Sequence, residues 1–234
     1  EVIPKIKSVE GRFERIGKIK NNSKVILDYA HTPEALKTCI LNLREQFKEK
    51  RICVLFGCGG NRDQNKRFQM GKIVSDYSDK IYLTDDNPRF ENPGKIRRDV
   101  KKGIKNQKLF EISDRSIAIF KAIQNLDSGE ILLVAGKGHE KIQDLGKKKI
   151  YFSDKKIIFD AIKKKNQKLS NNLKLNILKE QSGNQRLPLI PSFKHFRINS
   201  KEVKKNDVFF AIRGKNKDGN KFVNQAFKNG ASIA

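Results

Sequence analysis

Four short polar segments of this sequence hold the side chains that could do chemistry, and each follows directly on an apolar run. They are Asp28-Tyr29-Ala30-His31-Thr32-Pro33, Gly57-Cys58-Gly59-Gly60-Asn61-Arg62-Asp63, Asp85-Asp86-Asn87-Pro88-Arg89 and Gly136-Lys137-Gly138-His139-Glu140. The first offers a carboxylate and an imidazole. The second has glycines that let backbone amides approach a ligand, and a guanidinium group that suits a carboxylate or a phosphate. Together these groups are suited to a charged small molecule.

Each of these features has an ordinary structural explanation when it is taken alone. Gly59-Gly60 is a common turn, and Asp-Asn-Pro is usual turn chemistry. His31 by itself gives little support for catalysis, and His139 could equally hold a loop. His195, in a neighbourhood of Lys and Phe, is interpreted as structural or exposed. The argument for a site depends on all four segments occurring at the ends of strands.

Short apolar runs alternate with amphipathic stretches up to residue 162. The runs that predict strands are 24–29, 51–56, 80–84, 108–112 and 131–135. Most are continuous rather than alternating, which indicates burial on both faces. The predicted helices are one from Pro33 to about Phe47, one beginning at Pro93, and one capped by Asp114 with Ile117, Phe120 and Ile123 on its inner face. This alternation predicts an α/β fold with a Rossmann-like, doubly wound, mostly parallel sheet.

In open parallel sheets, ligands bind just beyond the carboxyl ends of the strands. The four polar segments occupy those positions, so we expect them to converge on one edge of the sheet.

The pattern changes after residue 162 and predicts a second unit. A helix capped by Ser153 or Asp154 is expected to fade into the polar run 163–169, which we interpret as a basic linker. Residues 170–234 are expected to form an incomplete small α/β segment. Its predicted elements are a short helix over 173–179, an irregular stretch around Pro188 and Pro191, a strand over 207–212, and an amphipathic helix that includes Phe222, Ala226 and Phe227. No internal repeat is found.

The composition of the 234 residues is strongly basic. There are 51 Lys and Arg against 26 Asp and Glu, which gives a formal net charge of +25, and the 37% apolar content is sufficient to fill a core. Such a charge first suggests a polyanionic partner. Because the basic residues are spread through most segments rather than gathered in a stripe, they indicate a compositional bias, and nucleic-acid binding is not favoured.

The cysteines and the ends of the sequence bear on its compartment. Cys39, Cys53 and Cys58 are odd in number, and two of them lie in apolar strand-like runs, unlike a disulfide framework. No run approaches the ~20 apolar residues of a membrane span. These observations predict a cytoplasmic protein with no membrane partner. The sequence begins at Glu1 without Met and ends as an apolar strand begins, so we expect it to have been cut from a longer chain.

Several motifs in the first two-thirds of the chain resemble those of the Mur ligases, the ATP-dependent amide-bond-forming enzymes of peptidoglycan synthesis. The motifs are Gly11-Arg12-Phe13-Glu14, the segment 28–33, the segment 57–67, Asp86-Asn87-Pro88-Arg89, and Val134-Ala135-Gly136-Lys137-Gly138-His139-Glu140 with Gln143. Their order and spacing fit over residues 9–162. Within the family they are most similar to the C-terminal domain of the member that adds meso-diaminopimelate to UDP-N-acetylmuramoyl-L-alanyl-D-glutamate.

The resemblance implies a function and site residues. Family members use ATP and Mg²⁺ to form an acyl phosphate, which the incoming amine attacks. The positions that match the family's ATP site are Arg12, Asp28, Tyr29 and His31. The positions that match its diaminopimelate site are Arg62, Asp86, Asn87, Arg89, Gly136 and Glu140. Two guanidinium groups suit the extra carboxylate by which diaminopimelate differs from lysine, and lysine would leave Arg89 without a partner at a cost of a few kcal/mol.

Two parts of the family pattern are missing from the 234 residues. No Gly-x-x-x-x-Gly-Lys-Ser/Thr loop, which holds the ATP phosphates, occurs in the sequence. The central domain that supplies most Mg²⁺ ligands is also missing, so this chain is predicted to contain no metal ligands and no catalytic residue of its own. We therefore expect that the chain alone does not catalyse the full reaction.

The second unit is similar to the beginning of the N-terminal domain of a Mur ligase, which holds the UDP-sugar of the substrate. The motifs are Ile198-Asn199-Ser200-Lys201, the segment 206–214, and Asp218-Gly219-Asn220-Lys221-Phe222-Val223. The preceding Leu-rich helix fits the D-alanyl-D-alanine-adding member best, which predicts a fusion of two successive ligases. In the alternative explanation, Gly214 and Gly219 are merely turns.

Two other functions were weighed against this one. A folylpolyglutamate synthase-like domain is disfavoured because it would not need the Asp-Asn-Pro-Arg loop. A non-catalytic basic nucleic-acid-binding module would be favoured by salt-dependent DNA retention without diaminopimelate binding.

Overall fold

The computed structural model describes residues 9–105, 108–181, 194–213 and 218–234. The chain divides into two compact units, Glu1–Leu169 and Ser170–Ala234. The strands of the first unit are β1 (Glu14–Arg15), β2 (Lys24–Asp28), β3 (Ile52–Phe56), β4 (Lys80–Leu83), β5 (Lys108–Glu111), β6 (Ile131–Ala135), β7 (Ile142–Asp144) and β8 (Lys149–Tyr151). Its helices are α1 (Pro33–Gln46), α2 (Asn65–Tyr77), α3 (Pro93–Lys101), α4 (Arg115–Gln124) and α5 (Asp154–Gln181), which extends beyond the unit's last residue.

The first unit is an α/β fold built on a six-stranded sheet, which confirms the predicted fold class. The strand order is β1-β2-β6-β3-β4-β5, and every neighbouring pair is parallel except β1 with β2. Because β6 lies between β2 and β3, the loops that follow these three strands meet at one edge. This order places the ends of β2, β6, β3 and β4 side by side.

Helices cover both faces of this sheet, and each face has its own apolar core. Side chains of α1, α2 and α3 such as Leu36, Met70 and Ile96 pack on one face, and side chains of α4 and α5 such as Ile119 and Ile158 pack on the other. The predicted burial of continuous strands on both faces is confirmed for β2, β3, β4 and β6. For β5 it is wrong, because β5 is the edge strand and most of its residues are exposed.

Capping residues begin three of the helices where the sequence predicts. Thr32 and Asp114 accept hydrogen bonds from Ala35 N and Ile117 N, at 3.3 and 2.9 Å, and Pro33 and Pro93 occupy the first turns of α1 and α3. The predicted inner face of α4 is partly wrong. Ile117 is 49% exposed, and the buried apolar side chains of this helix are Ala118, Ile119, Ala122 and Ile123.

The predicted linker 163–169 is wrong, because these residues continue helix α5. Two of their polar side chains donate hydrogen bonds to backbone carbonyls of the first unit. Lys165 Nζ donates to Gln124 O at 2.9 Å and to Leu126 O at 2.8 Å, and Asn166 Nδ2 donates to Lys18 O at 2.8 Å. The helix predicted over 173–179 belongs to α5 as well, whereas Pro188 and Pro191 lie outside the described residues.

The second unit has its own small sheet. Strands β9 (Phe196–Arg197), β10 (Asp207–Phe209) and β11 (Ala231–Ile233) are parallel in the order β11-β10-β9, with helix α6 (Val223–Lys228) before β11. Val203, Phe209 and Ala226 form its core. The strand predicted over 207–212 is therefore shorter than expected. Within the described ranges of the chain, no helix has the length and apolar character needed to span a bilayer.

Candidate functional site

A cavity of about 350 Å³ lies where the polar segments meet, beyond the carboxyl ends of β2, β3, β4 and β6. Eight of the ten predicted site residues line it. They are Tyr29, His31, Arg62, Asp86, Asn87, Arg89, Gly136 and Glu140. Thr32, Gly57, Cys58, Gly59, Asp63 and Lys66 complete the lining. Arg12 and Asp28 do not line the cavity, and they contact its wall from outside.

The two remaining predicted residues lie next to Tyr29. The Arg12 guanidinium lies 4.6 Å from the centre of the Tyr29 ring. Asp28 is buried beside it, and its carboxylate accepts hydrogen bonds from Phe13 N at 2.6 Å and Ala30 N at 2.7 Å. Each carboxylate oxygen can accept a further hydrogen bond, so Asp28 anchors the loop and still has acceptor capacity.

Two imidazoles flank the Tyr29 ring. The ring of His31 lies 4.6 Å from it in an edge-on arrangement, and the ring of His139 lies 5.5 Å away and tilted. His31 and His139 are both exposed. With Arg12, these rings form an aromatic and cationic surface suited to a planar base. The surface includes His139, whose role sequence reasoning left open.

The carboxylate of Glu140 is held by three donors. Tyr29 Oη donates to its Oε1 at 3.3 Å, and Asn87 Nδ2 and Lys137 Nζ donate to its Oε2 at 3.3 and 3.1 Å. Burial raises the pKa of Glu140. The hydrogen bond and positive charge of Lys137, together with the hydrogen bonds from Asn87 and Tyr29, outweigh burial and lower the pKa below its ordinary value. Glu140 is therefore ionised at neutral pH and can receive an ammonium group.

Arg89 is held at the edge of the cavity by its backbone and by one hydrogen bond. Its φ angle is +51°, in the left-handed region that few non-glycine residues adopt. Its Nη1 donates to Gly60 O at 2.7 Å, and its Nε lies 3.9 Å from Asp144 Oδ2. A guanidinium group has five N–H donors, so Arg89 can bind an anion while it stays attached to Gly60. Arg62, on the facing loop, is exposed.

Asp86 lines the cavity next to a buried ion pair. Arg115 is fully buried and donates to both oxygens of Asp154, at 2.9 and 2.7 Å, and to Ala135 O at 3.0 Å. Its Nη1 lies 4.0 Å from Asp86 Oδ2. Gly136, with φ +113°, leaves room for this carboxylate, because a Cβ there would lie 2.9 Å from Asp86 Oδ2.

A second buried arginine joins the two loops that carry Arg62 and Arg89. Arg67 is fully buried, and its Nη2 donates to both oxygens of Glu91 at 2.9 and 2.8 Å. Glu91 also accepts a hydrogen bond from the backbone N–H of Asn61. The hydrogen bonds from Arg67 and Asn61 outweigh burial and lower the pKa of Glu91. The link therefore connects residues 61 and 91, next to the loops that face the cavity.

The residues present fit ATP in part and Mg²⁺ poorly. Arg12, Tyr29 and the acceptor atoms of Asp28 offer partners for a base and a ribose. Among residues 9–105, 108–181, 194–213 and 218–234, no group of three or more His, Cys, Asp or Glu side chains is placed to hold a metal ion. We therefore assign none of these described residues to Mg²⁺.

Sequence reasoning missed three buried cations that support the site: Lys137, Arg67 and Arg115. All three have fully buried side chains. Charged residues are rarely buried, so residue type alone places them on the surface. The position of Lys137 and Arg67 inside the polar motifs is the signal that could have marked them. Arg115 follows a helix cap, and no feature of the sequence distinguishes it.

Comparison with known proteins shows the family of the chain. The family model described as Mur ligase, glutamate ligase domain, matches residues 11–138, more than half of the chain. The chain belongs to the Mur ligase family. A second model, described as Mur ligase family, catalytic domain, matches residues 192–234. That description does not assign the second unit to an N-terminal domain, and this assignment stays a prediction.

Several relatives are named UDP-N-acetylmuramoyl-L-alanyl-D-glutamate–2,6-diaminopimelate ligase. The chain is 44% identical to the one from Rickettsia felis over 159 residues, which cover 68% of this chain and 29% of the relative. It is 47% identical to the one from Buchnera aphidicola over 162 residues, which cover 69% of this chain and 32% of the relative. A solved structure of the same name has a TM-score of 0.62 at 35% identity and covers 69% of this chain and 33% of its own. The chain thus spans about a third of the length of these relatives.

Proposed function

We propose that the first unit is the amino-acid-binding domain of an ATP-dependent ligase that adds meso-diaminopimelate to UDP-N-acetylmuramoyl-L-alanyl-D-glutamate. The observation that carries the proposal is the charge arrangement of the cavity. The guanidinium groups of Arg62 and Arg89 and the carboxylate of Glu140 line one volume of about 350 Å³. An amino acid end carries one carboxylate and one ammonium group, which these side chains match in sign.

The proposed roles follow from this arrangement. Arg62 and Arg89 bind the carboxylate at the end of diaminopimelate that does not react, and Glu140 binds the ammonium group at that end. Asn87, Asp86 and Gly136 shape the pocket between them. Lysine lacks the carboxylate and would leave both guanidinium groups without a partner, so the same contacts favour diaminopimelate over lysine.

Arg12, Asp28, Tyr29 and His31 are proposed to bind the base and ribose of ATP. The Arg12 guanidinium group and the His31 ring each lie 4.6 Å from the centre of the Tyr29 ring, and the carboxylate of Asp28 keeps acceptor capacity for ribose hydroxyls. In the proposed reaction, ATP phosphorylates the substrate carboxylate, and the free amine of diaminopimelate displaces the phosphate to form the amide. The part of this chain is to hold and orient the amine; groups that bind the ATP phosphates and Mg²⁺ are proposed to come from a central domain.

We propose that the second unit is the beginning of the UDP-sugar-binding domain of the next ligase, the one that adds D-alanyl-D-alanine, and that both enzymes act in the cytoplasm. The motifs at 198–201 and 218–223 and the match at residues 192–234 support this. Successive ligases on one chain would raise the local concentration of the intermediate. The test is the gene on both sides of this sequence. A Gly-Lys-Thr phosphate loop is expected upstream and a second one downstream, and the lack of either contradicts the fusion.

Binding of amino acids to the isolated chain tests the amino-acid site. NMR titration of ¹⁵N-labelled chain with meso-diaminopimelate is expected to shift the resonances of cavity residues, and L-lysine at the same concentration is expected to shift them much less. Arg62→Ala is the informative variant, because this exposed side chain can be removed with little effect on the fold. Equal responses to both amino acids contradict the proposal. Salt-dependent DNA retention without a diaminopimelate response supports the nucleic-acid alternative.

A further inference from the structure

The loop after β6 turns one lysine inward, beneath the cavity. Gly136 and Gly138, on either side of Lys137, have φ angles of +113° and +51°, a backbone that side chains rarely allow. Between them the Lys137 side chain is completely buried. It does not line the cavity, so any effect of Lys137 on a ligand passes through its neighbours.

The ammonium group of Lys137 has three donors, and three acceptors receive them. Its Nζ lies 3.0 Å from Asn87 Oδ1, 3.1 Å from Glu140 Oε2 and 2.7 Å from Ile142 O. An ammonium group has no further hydrogen to offer. Burial of a charge is costly unless it is paired and hydrogen-bonded, and here both conditions are met without a ligand.

These contacts also fix Asn87 and Glu140 relative to each other. Asn87 Oδ1 accepts from Lys137 and from Asp144 N at 3.0 Å, which turns its amide nitrogen toward Glu140 Oε2 at 3.3 Å. Glu140 Oε2 is then held by two donors, while Oε1 accepts from the Tyr29 hydroxyl at 3.3 Å. Both Asn87 and Glu140 line the cavity.

We propose that Lys137 is a positioning residue of the cavity: its buried ammonium group fixes the Asn87 amide and the Glu140 carboxylate in the orientation in which they meet a ligand. This rests on the proposed function for the identity of the ligand, diaminopimelate, but not for the positioning itself. Lys137 contacts no ligand in this arrangement and is not a catalytic residue.

The charges around Glu140 give the proposal a pH signature. Lys137 and Arg115 interact with Glu140 through their positive charge, and Tyr29 and Asn87 donate hydrogen bonds to it. Other charged or titratable side chains that line the same cavity are His31, Arg62, Asp63, Lys66, Asp86 and Arg89. Burial raises the pKa of Glu140, and Lys137 is the largest influence that lowers it. Without Lys137 the pKa must rise, so the carboxylate accepts a proton at higher pH and loses its attraction for an ammonium group.

The experiment compares Lys137→Met with Lys141→Met in the 234-residue chain. Lys141 is an exposed lysine next to Glu140, so its variant loses the same charge without the buried contacts. Two quantities are measured by NMR: the affinity for meso-diaminopimelate at several pH values, and the titration of the Glu140 carboxyl carbon without ligand. Lys137→Met is expected to bind diaminopimelate roughly 10- to 100-fold more weakly than the wild type. As the pH is lowered, its binding is expected to be lost at a higher pH than that of the wild type. Lys141→Met is expected to match the wild type.

A double-mutant cycle separates positioning from general loss of structure. If Lys137 acts through Glu140, adding Lys137→Met to Glu140→Gln lowers affinity much less than Lys137→Met does alone. Unchanged affinity and an unchanged Glu140 titration in Lys137→Met overturn the proposal. If that variant does not fold, the wild-type chain decides: Glu140 must titrate below an ordinary glutamate, and a normal titration overturns the proposal.

Failure of the proposed function gives a different result. If the wild-type chain binds neither diaminopimelate nor lysine, the amino-acid assignment fails. The carboxyl titration then still decides on Lys137, because a raised Glu140 pKa in Lys137→Met supports the positioning without any ligand.

Discussion

The buried guanidinium group of Arg67 donates to both carboxylate oxygens of Glu91, at 2.9 and 2.8 Å, and thereby connects helix α2 to the loop after β4. Arg67 Nη1 also lies 3.4 Å from Oδ2 of Asp99, a residue of α3. The loops joined in this way carry Arg62 and Arg89, the two guanidinium groups at the cavity. The distance between these groups therefore depends on a contact between two residues that do not line the cavity.

The first prediction concerns the stability of the variant Arg67→Met. Removal of one partner from a buried, hydrogen-bonded ion pair leaves the other charge uncompensated, and Glu91 and Asp99 are only partly exposed. We expect a loss of about 2–4 kcal/mol of unfolding free energy, below the upper range for completely buried pairs because water reaches both carboxylates. Urea unfolding followed by circular dichroism measures the loss. Arg98→Met, in α3, is the control, and equal stability of the two variants contradicts the prediction.

The same ion pair makes a prediction about pH. The pKa of Glu91 is lowered in the folded chain by the hydrogen bonds from Arg67 and Asn61. A lowered carboxyl pKa contributes stability above the pKa of the unfolded chain, and this contribution is lost as pH falls through the folded value. Wild-type stability is therefore expected to fall in acid more steeply than that of Arg67→Met. Parallel pH profiles of the two melting temperatures contradict this.

Much of the cavity could be predicted because strand order carries information about loops. The runs at 24–29, 51–56, 80–84 and 131–135 are apolar enough to be recognised as buried strands, and parallel strands end at the same edge. The polar segments that follow them therefore had to meet. This reasoning needs no knowledge of side-chain orientation.

The buried cations could not be predicted, because their burial depends on side-chain orientation. Lys137 is buried between Gly136 and Gly138, which both adopt positive φ angles, and the sequence does not specify which glycines do so. Helix α2 escaped notice as well. Its apolar face of Met70, Val74 and Tyr77 is interrupted by the buried residues Arg67, Gly71 and Ser75, and Gln64 gives it no side-chain cap, so the helical pattern is weak.

The linker prediction is wrong because composition does not show which acceptors the ammonium group of a lysine reaches in the folded chain. A linker over 163–169 would be open to proteases, but Lys165 and Asn166 bond to backbone atoms of the first unit. We now expect that brief trypsin treatment of the folded chain leaves the bonds after Lys163, Lys164 and Lys165 intact. Mass spectrometry of the early fragments checks this. Early cleavage at these bonds, with the rest of the first unit protected, would support the linker prediction instead.

Nucleotide binding by this chain is predicted to be weak. The sequence has partners for a base and a ribose but no phosphate-binding loop, so we expect ATP to bind with a dissociation constant of about a millimolar or higher. Adenosine is expected to bind about as well as ATP, because the contacts offered by Arg12, Asp28 and Tyr29 do not involve phosphate. Titration calorimetry with both ligands tests this, with Arg12→Ala as the variant that removes the remaining binding. Micromolar ATP affinity contradicts the prediction.

The last prediction ties Arg89 to one functional group. If its guanidinium group receives the extra carboxylate of meso-diaminopimelate, Arg89→Ala in a ligase completed with its central domain should raise the KM for diaminopimelate far more than that for ATP. Loss of a charge-assisted pair costs ~2–4 kcal/mol, or roughly thirty- to a thousand-fold in kcat/KM. Preference over lysine should fall too, because lysine lacks that carboxylate.

Arg89 also donates to Gly60 O at 2.7 Å, so its removal has a structural cost that must be separated from the loss of binding. Arg62→Ala is the matched control, since Arg62 lines the same cavity and is exposed. We expect Arg62→Ala to lower selectivity for diaminopimelate with an unchanged melting temperature, and Arg89→Ala to lower both. If Arg89 only braces the loop, Arg89→Ala weakens ATP and diaminopimelate alike and leaves the preference over lysine unchanged, and that outcome removes Arg89 from the amino-acid site.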